Sequence, residues 1–292
     1  AIVGLVGRVY ETAVASLTTS SVDFGIVHVG DVVTDRTVGV ANAAPVAALN
    51  DTLKASIATG AAGFGASGSV SGLAAGANDT SSLLVALDTT SAGFYSGSAN
   101  VAFASSNPDM ADLSLGSQSV ALAAQVNNYA DAALRQAGGF GVLSAVGDVY
   151  TLDFGTLVQG SAVRSASLEV LNDVLGPSDL LDGQFGATDT DDFAYLASFF
   201  DLFTDLGAGQ AQGGFGISFD PVTLGLVSDS VVLNASGHNA SGFRGALGPI
   251  TLHFTARVVA GGTGTVPVPG TLLLLASALV LMASLRRRVT LR

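Results

Sequence analysis

Cysteine and tryptophan are absent from the 292 residues, and Lys54 is the single lysine beside two glutamates, Glu11 and Glu169. Without cysteine there are no disulfides, no thiol catalysis and no cysteine-bound metal. That absence leaves export open. Scarcity of Lys and Glu removes two of the strongest surface helix formers and argues against a helical protein. The first twenty residues carry no basic-then-apolar signal pattern, and residue 1 is Ala. The expectation is a chain whose leader has been removed or whose true N-terminus lies upstream.

Glycine is abundant, with 37 residues, apolar side chains make up 49%, and charged ones only 12%. Enough apolar mass is present to bury real cores, so wholesale disorder is excluded. High Gly, Val, Ser and Thr point to short strands joined by many turns. The length suggests about two domains. Net charge is −12, unevenly placed: four of the 11 basic residues, Arg286, Arg287, Arg288 and Arg292, follow the last apolar run. The seven others face 23 acids, a net −16 on the body. Such a body repels phosphates and anionic lipid surfaces, which excludes DNA or RNA binding.

An internal repeat organises the body. "VDFGIVHVGDVVTDRTVGVAN" starts at Val22 and "LDFGTLVQGSAVRSASLEVLN" at Leu152. Asp23, Phe24, Gly25, Gly30 and Asn42 meet Asp153, Phe154, Gly155, Gly160 and Asn172, all 130 positions on. "LDTTSAG", ending at Gly93, meets "FDPVTLG", ending at Gly225, and "AAQV" from Ala123 meets "TARV" from Thr255, each at an offset of 132. A nearly constant offset over so long a stretch reads as two copies of one domain. Near the end of the second copy Ile250, Leu252, Phe254, Ala256 and Val258 alternate with polar residues, as do Val120, Leu122, Ala124 and Val126 in the first. That period marks strands with one buried and one wet face. About 110 residues per copy fits a seven-strand antiparallel sandwich. Gly30 and Gly160 are expected at the turn after the first strand, where a positive φ is easiest for Gly. "GRVYETAVASL" from Gly7 resembles "AQVNNYADAAL" from Ala124, so the chain is expected to open on the final strand of an earlier copy. "DDFAYLASFFDLFTDLG", Asp191 to Gly207, places Phe193, Leu196, Phe200 and Phe203 at helical spacing and predicts an inserted helix.

These patterns resemble the choice-of-anchor D family, related to immunoglobulin-like ASH domains. The resemblance rests on "DFGxxxxG", "VxN" and the closing Gly turn, with "FDP" at Phe219 to Pro221 matching well and "LDT" at Leu87 to Thr89 lacking the Pro. It implies Ig-like repeats in an exported bacterial protein followed by one of several C-terminal anchors. The tail, "VPVPGTLLLLASALVLMASLRRR" from Val266, resembles a PEP-CTERM sorting signal, with Val268 where the eponymous pattern has Glu. It implies sorting residues Val266, Pro267, Val268, Pro269 and Gly270, and an exosortase-type enzyme that cuts near them. Physical chemistry supports an anchor separately. Thr271 to Leu285 carries no charge. Those fifteen residues make roughly 22 Å of helix, thin for a ~30 Å hydrocarbon slab unless Arg286, Arg287 and Arg288 snorkel. The arginines belong on the cytoplasmic side.

Chemistry is harder to find. His28, His238 and His253 share no spacing, and no G-x-S-x-G elbow occurs. The glycine-rich stretches Gly60 to Gly72 and Gly209 to Gly216 lack the strand, helix and Lys of a phosphate loop. "DTDD", Asp189 to Asp192, offers carboxylates for weak calcium binding but lacks the EF-hand Gly and Glu. The Asn-x-Ser/Thr sites at Asn50, Asn78, Asn234 and Asn239 mark surface turns.

The expected architecture is all-β: tandem immunoglobulin-like antiparallel β-sandwiches plus a C-terminal transmembrane helix. Residues 1–17 are the final strand of a truncated preceding repeat, 18–128 the first sandwich, 129–146 a linker, and 147–260 the second sandwich with a helical insertion near 191–206. Residues 261–270 are linker and sorting motif, and 271–292 the membrane helix and arginine tail. The expected function is that of an exported, surface-anchored structural or adhesion-type protein of a bacterial envelope or extracellular matrix. It has no catalytic residues and no cofactor. Its partners would be the membrane, the processing enzyme, and exopolysaccharide or other surface proteins. Alternatives are a carbohydrate- or protein-binding module with specific recognition, for which aromatic platforms are few, and an envelope hydrolase.

Overall fold

The computed structural model describes residues 2–4 and 6–262. The sorting residues Val266 to Gly270, Arg286 to Arg288 and the expected membrane helix lie outside them. Among the described residues no helix is long and apolar enough to cross a membrane.

Strands in the first half are β1 (Ala15–Leu17), β2 (Ser21–His28), β3 (Arg36–Asn42), β4 (Thr52–Thr59), β5 (Phe64–Ser67), β6 (Ser69–Leu73), β7 (Asn78–Leu87), β8 (Gly93–Ser106) and β9 (Leu113–Asn127). They form two sheets, β1-β3-β7-β5 and β2-β9-β8-β4-β6. The second half holds β10 (Ala132–Gly139), β11 (Val142–Val146), β12 (Val149–Val158), β13 (Arg164–Asn172), β14 (Leu180–Asp189), β15 (Ala194–Tyr195), β16 (Phe203–Leu206), β17 (Ala211–Phe219), β18 (Gly225–His238), β19 (Arg244–Ala246) and β20 (Ile250–Val259). Its sheets are β10-β13-β17-β15 and β11-β12-β20-β18-β14-β16, with β19 on β18. Strand for strand the two orders match, with β11 and β19 extra in the second half.

Each half encloses one core between its two sheets. Val38, Val40, Leu83 and Val85 of one sheet meet Val22, Leu53, Val101 and Val120 of the other. In β20 the alternation is complete: Ile250, Leu252, Phe254, Ala256 and Val258 are buried, and His253 and Arg257 are exposed. The second core is aromatic, with Phe154, Phe185, Phe193, Phe199, Phe203, Phe215, Phe219 and Phe254 buried, against Phe24 and Phe103 in the first. Burying each such ring contributes about 1.5–3 kcal/mol.

The repeated residues close the backbone's hydrogen bonds. Asp23 Oδ1 accepts the Gly25 N–H at 2.8 Å, and Asp153 Oδ1 the Gly155 N–H at 2.8 Å. Both glycines have positive φ, 71° and 67°, at a bulge that shifts the register of β2 and β12. Gly30 and Gly160, at φ 84° and 72°, turn the chain after those strands. Asn42 donates to the carbonyls of Asp51 and Leu73, and Asn172 to those of Asp179 and Leu206.

Four expectations are corrected. First, β1 pairs with β3, so Ala15–Leu17 is the opening strand of the first sandwich rather than the close of an earlier one. Its likeness to the stretch after Ala124 reflects a shared position, since Ala132–Gly139 opens the second sandwich. Second, residues 129–146 are therefore mostly strand: β10 lies on β13 and β11 on β12. Third, the sheets are not wholly antiparallel and hold more than seven strands each pair, because β2 runs parallel to β9 and β12 parallel to β20. Fourth, the segment near 191–206 is strand, one 3₁₀ turn (Ala197–Phe200) and strand. Leu196 gives its N–H to the Gly216 carbonyl, joining the sheet edge instead of a helix. Leu196, on the expected helical stripe, is 58% exposed, while Phe199, off the stripe, is fully buried. Asp205, at φ 59°, bends the chain again.

Candidate functional site

The most organised polar cluster lies where the two sandwiches meet. Asp179, just ahead of β14, is fully buried, and His28, at the end of β2, is 5% exposed. Their contact, Nε2 to Asp179 Oδ2, measures 2.8 Å. Asp179 Oδ1 accepts from Asn127 Nδ2 at 3.1 Å and Asn239 Nδ2 at 2.7 Å. The carboxylate thus has donors from β2, from the end of β9 and from the loop after β18. Without them its burial would be strongly unfavourable. Tyr129 stacks on the His28 ring, with centroids 4.1 Å apart and planes at 10°, and Phe243 meets its edge at 4.4 Å. On the far side Nδ1 lies 3.7 Å from Asp31 Oδ2, which also accepts the His28 N–H.

The short connection between β9 and β10 is tied down along its length. Asn128 N–H donates to the Pro177 carbonyl and its side chain to the Leu175 carbonyl, both at 2.9 Å. Asp179 N–H returns to the Asn128 carbonyl, and Asp131 N–H reaches Asn172 Oδ1. Ala130 packs against Gly237, where an added Cβ would sit 3.2 Å from the Ala130 methyl. A loose linker would leave these groups to water; here each is bonded to the second sandwich, starting at the residue that follows β9.

The histidine and carboxylate resemble two members of a catalytic triad, but the hydrogen bonds of His28 go to Asp179, Asn239 and its own turn, with no hydroxyl nucleophile among them. What this arrangement does chemically is hold two bodies together. His238, at the end of β18, lies 3.0 Å from Asp182 and 3.3 Å from Asp205, but Arg244 reaches Asp182 at 3.4 Å and already supplies a cation. His253 stands on the exposed face of β20.

Of the "DTDD" carboxylates, Asp189 and Asp191 approach buried Asp229, a residue the sequence did not single out. Asp229 accepts the N–H groups of Asp192 and Phe193 at 3.0 and 2.9 Å and the Tyr195 hydroxyl at 2.9 Å. Loss of hydration, then repulsion by Asp191, raises the carboxyl pKa of Asp189 above the usual range. Burial, reinforced by Asp229, raises that of the Tyr195 phenol. Three acids this close can share a cation, yet Asp229 spends its oxygens on the backbone it folds.

The sequence matches no family model and no curated protein. Among solved structures, an ASH/PapD-like domain of human CEP192 is 10% identical, covering 44% of this chain and 86% of its own, with a TM-score of 0.30. CfaE, the adhesive subunit of an enterotoxigenic Escherichia coli fimbria, is 9% identical over 86% of this chain and 88% of its own, at 0.32. The CupB6 tip adhesin of Pseudomonas aeruginosa is 9% identical over 85% and 99%, at 0.27. Scores this low add nothing to an assignment that rests on the chain's own strands.

Proposed function

We propose that the chain is a non-enzymatic, exported, surface-associated structural or adhesion-type protein of a bacterial envelope or extracellular matrix, its two sandwiches forming one stiff spacer. The observation that carries the stiffness is the buried joint of His28, Asp179, Asn127 and Asn239. A buried, fully bonded polar cluster fixes relative orientation more sharply than apolar contact does. The acidic body and the arginine-flanked apolar tail support a body outside the membrane and an anchor within it.

In this reading Val266 to Gly270 are recognised by an exosortase-type enzyme. Thr271 to Leu285 halts in the inner membrane with Arg286, Arg287 and Arg288 on its cytoplasmic face. Cleavage releases the spacer to the outer surface or matrix, where exopolysaccharide or other surface proteins are its contacts. Fractionation of cells that make the protein, followed by intact-mass analysis, tests this. Surface or matrix material ending near residues 266–270 is the expected result. Full-length protein in the cytosol would overturn it.

A further inference from the structure

The two sandwiches carry different side chains at one shared place, on the larger sheet beside the bulged pairing of β4 with β6 and of β14 with β16. The registers fix the correspondence. Leu53 pairs with Leu73 as Leu181 pairs with Leu206, so Lys54 answers to Asp182 and Gly72 to Asp205. Gly72 and Asp205 share a positive φ, 69° and 59°. Thr52 pairs with Ser106 as Leu180 pairs with His238. Arg244 stands opposite His238, and Asp112 stands one step before Leu113, the partner of Ser105. In the first sandwich the place holds one surface ion pair, Lys54 Nζ to Asp112 Oδ2 at 2.8 Å.

In the second sandwich the charges of that pair are reversed, as Asp182 and Arg244, and two further groups are added. His238 stands where Ser106 does, and Asp205 where Gly72 does. His238 Nε2 lies 3.0 Å from Asp182 Oδ1 and 3.3 Å from Asp205 Oδ1. One donor atom from each of the three residues falls within 4.8 Å of the others. Bonds of ~2.0–2.2 Å to one zinc-sized ion, at octahedral or tetrahedral angles, set donor atoms roughly 2.8–3.6 Å apart. A hydrogen bond explains less, because Nε2 has at most one proton and two carboxylate oxygens face it. Charge points the same way. Two carboxylates stand against one guanidinium, and Arg244, its side chain 69% exposed, reaches only Asp182 Oδ2, at 3.4 Å. Asp205 N–H donates to Asp182 Oδ1 at 2.8 Å, the kind of outer bond that orients a ligating carboxylate. Asp182 and His238 are largely buried, while Asp205 opens to solvent and leaves a way in.

We propose that Asp182, Asp205 and His238 bind a divalent transition metal of the zinc class, with water completing its shell. An imidazole beside carboxylates suits such an ion, whereas calcium and magnesium take oxygen ligands. The ion ties β14, β16 and β18 together directly ahead of Asn239, which bonds Asp179 in the joint. Its effect is to brace the end of β18. The site does not depend on the export reading, and its test needs no membrane.

The probe is zinc chloride, titrated calorimetrically into the untagged whole chain at about pH 8, where an ordinary imidazole is neutral. One equivalent is expected to bind, and the urea midpoint should rise with zinc concentration because the ion favours the folded state. Cobalt(II) in its place should broaden the amide signals of Asp182, Asp205 and His238 and spare those of Asp189 and Asp229. Asp205→Gly and His238→Ser install the first sandwich's own residues, so both variants should fold. Each should weaken zinc binding by at least about tenfold, the loss that even an outer partner of a ligand can cause. Asp189→Asn should leave it unchanged. Absence of heat and of any midpoint shift at millimolar zinc would overturn the proposal. So would uptake that survives both variants, or calcium binding as tightly as zinc, which would leave the imidazole without a role.

Discussion

At the scale of single residues, aspartate carries nearly all the negative charge and does so in two opposed ways. Asp79 accepts the N–H groups of Ser81 and Ser82 at 3.0 and 2.9 Å and the Ser82 hydroxyl at 2.8 Å. Those donors, the Ser82 N–H first, hold its pKa below the ordinary carboxylate range. Asp189 is held above that range by lost hydration and by Asp191. The signs follow from linkage. The folded state binds the Asp79 proton less tightly than the unfolded state, so its stabilisation is complete above about pH 4 and is lost as pH falls through the folded value. Asp189 is the reverse: its folded state is penalised as pH rises from about 4 through the folded value, and the penalty is full above that value. Asp79→Asn should therefore lower the urea midpoint at pH 7, and Asp189→Asn should raise it. Both differences should shrink as pH falls, that of Asp189→Asn as pH drops through about 4 and that of Asp79→Asn further down, as pH passes through the depressed folded value. Both side chains are at the surface, so the shifts are small, and the prediction lies in their opposite sign.

At the scale of elements, the crossing from β10 to β11 depends on glycine. Gly139 has φ 92°, and a Cβ there would meet the Ser165 carbonyl oxygen at 2.4 Å. That oxygen is backbone and accepts the Phe140 N–H, so it cannot yield. Gly138 has open space at the same position. Gly139→Ala should destabilise the second sandwich by at least about 1–3 kcal/mol, the cost of backbone strain, measured by urea unfolding. Gly138→Ala should change it by less than about 1 kcal/mol. The same glycines explain why this region reads as a linker: "GGFG" interrupts the alternation, so neither flanking strand shows its period. β20 and the second half of β9, Val120 to Val126, were legible because one face is buried there and every second residue is apolar. The motif Asp-x-Gly was legible as a repeat, though its role, an aspartate bonding the amide of a bulge two residues on, needs the geometry. Phe193, Phe200 and Phe203 misled because strand–turn–strand brings aromatics inward at spacings that also suit a helix. Only the partner, β17, decides between them.

At the scale of the whole molecule, the duplication was legible and the joint was not. Repeats reveal themselves by a constant offset, but the joint is where the copies differ. His28 falls opposite Val158, and its partner Asp179 is 151 residues away. The framework beneath it is shared. Asp51, the counterpart of Asp179, accepts from Ser105 Oγ at 2.7 Å and Asn107 Nδ2 at 2.9 Å within the first sandwich. The second sandwich keeps the carboxylate and the asparagine, as Asp179 and Asn239, and takes its remaining donors, His28 and Asn127, from its neighbour. A local polar plug has become a cross-boundary clamp. Replacing Asp179 with Ala would leave the amides of Asn127 and Asn239 and the imidazole of His28 buried without their acceptor. That should cost about 2–4 kcal/mol, at 1–3 kcal/mol per stranded group with partial rehydration. His28→Ala should leave the carboxylate two donors and open one side of it to water, loosening the joint while both cores stay intact. Residual dipolar couplings separate these effects. In the unaltered chain one alignment tensor should fit amides of β9 and β20 together. In His28→Ala two tensors should be required while each sandwich keeps its chemical shifts. If one tensor still suffices, the backbone bonds of residues 128–131 fix the orientation alone, and the His28–Asp179 contact contributes stability but not stiffness.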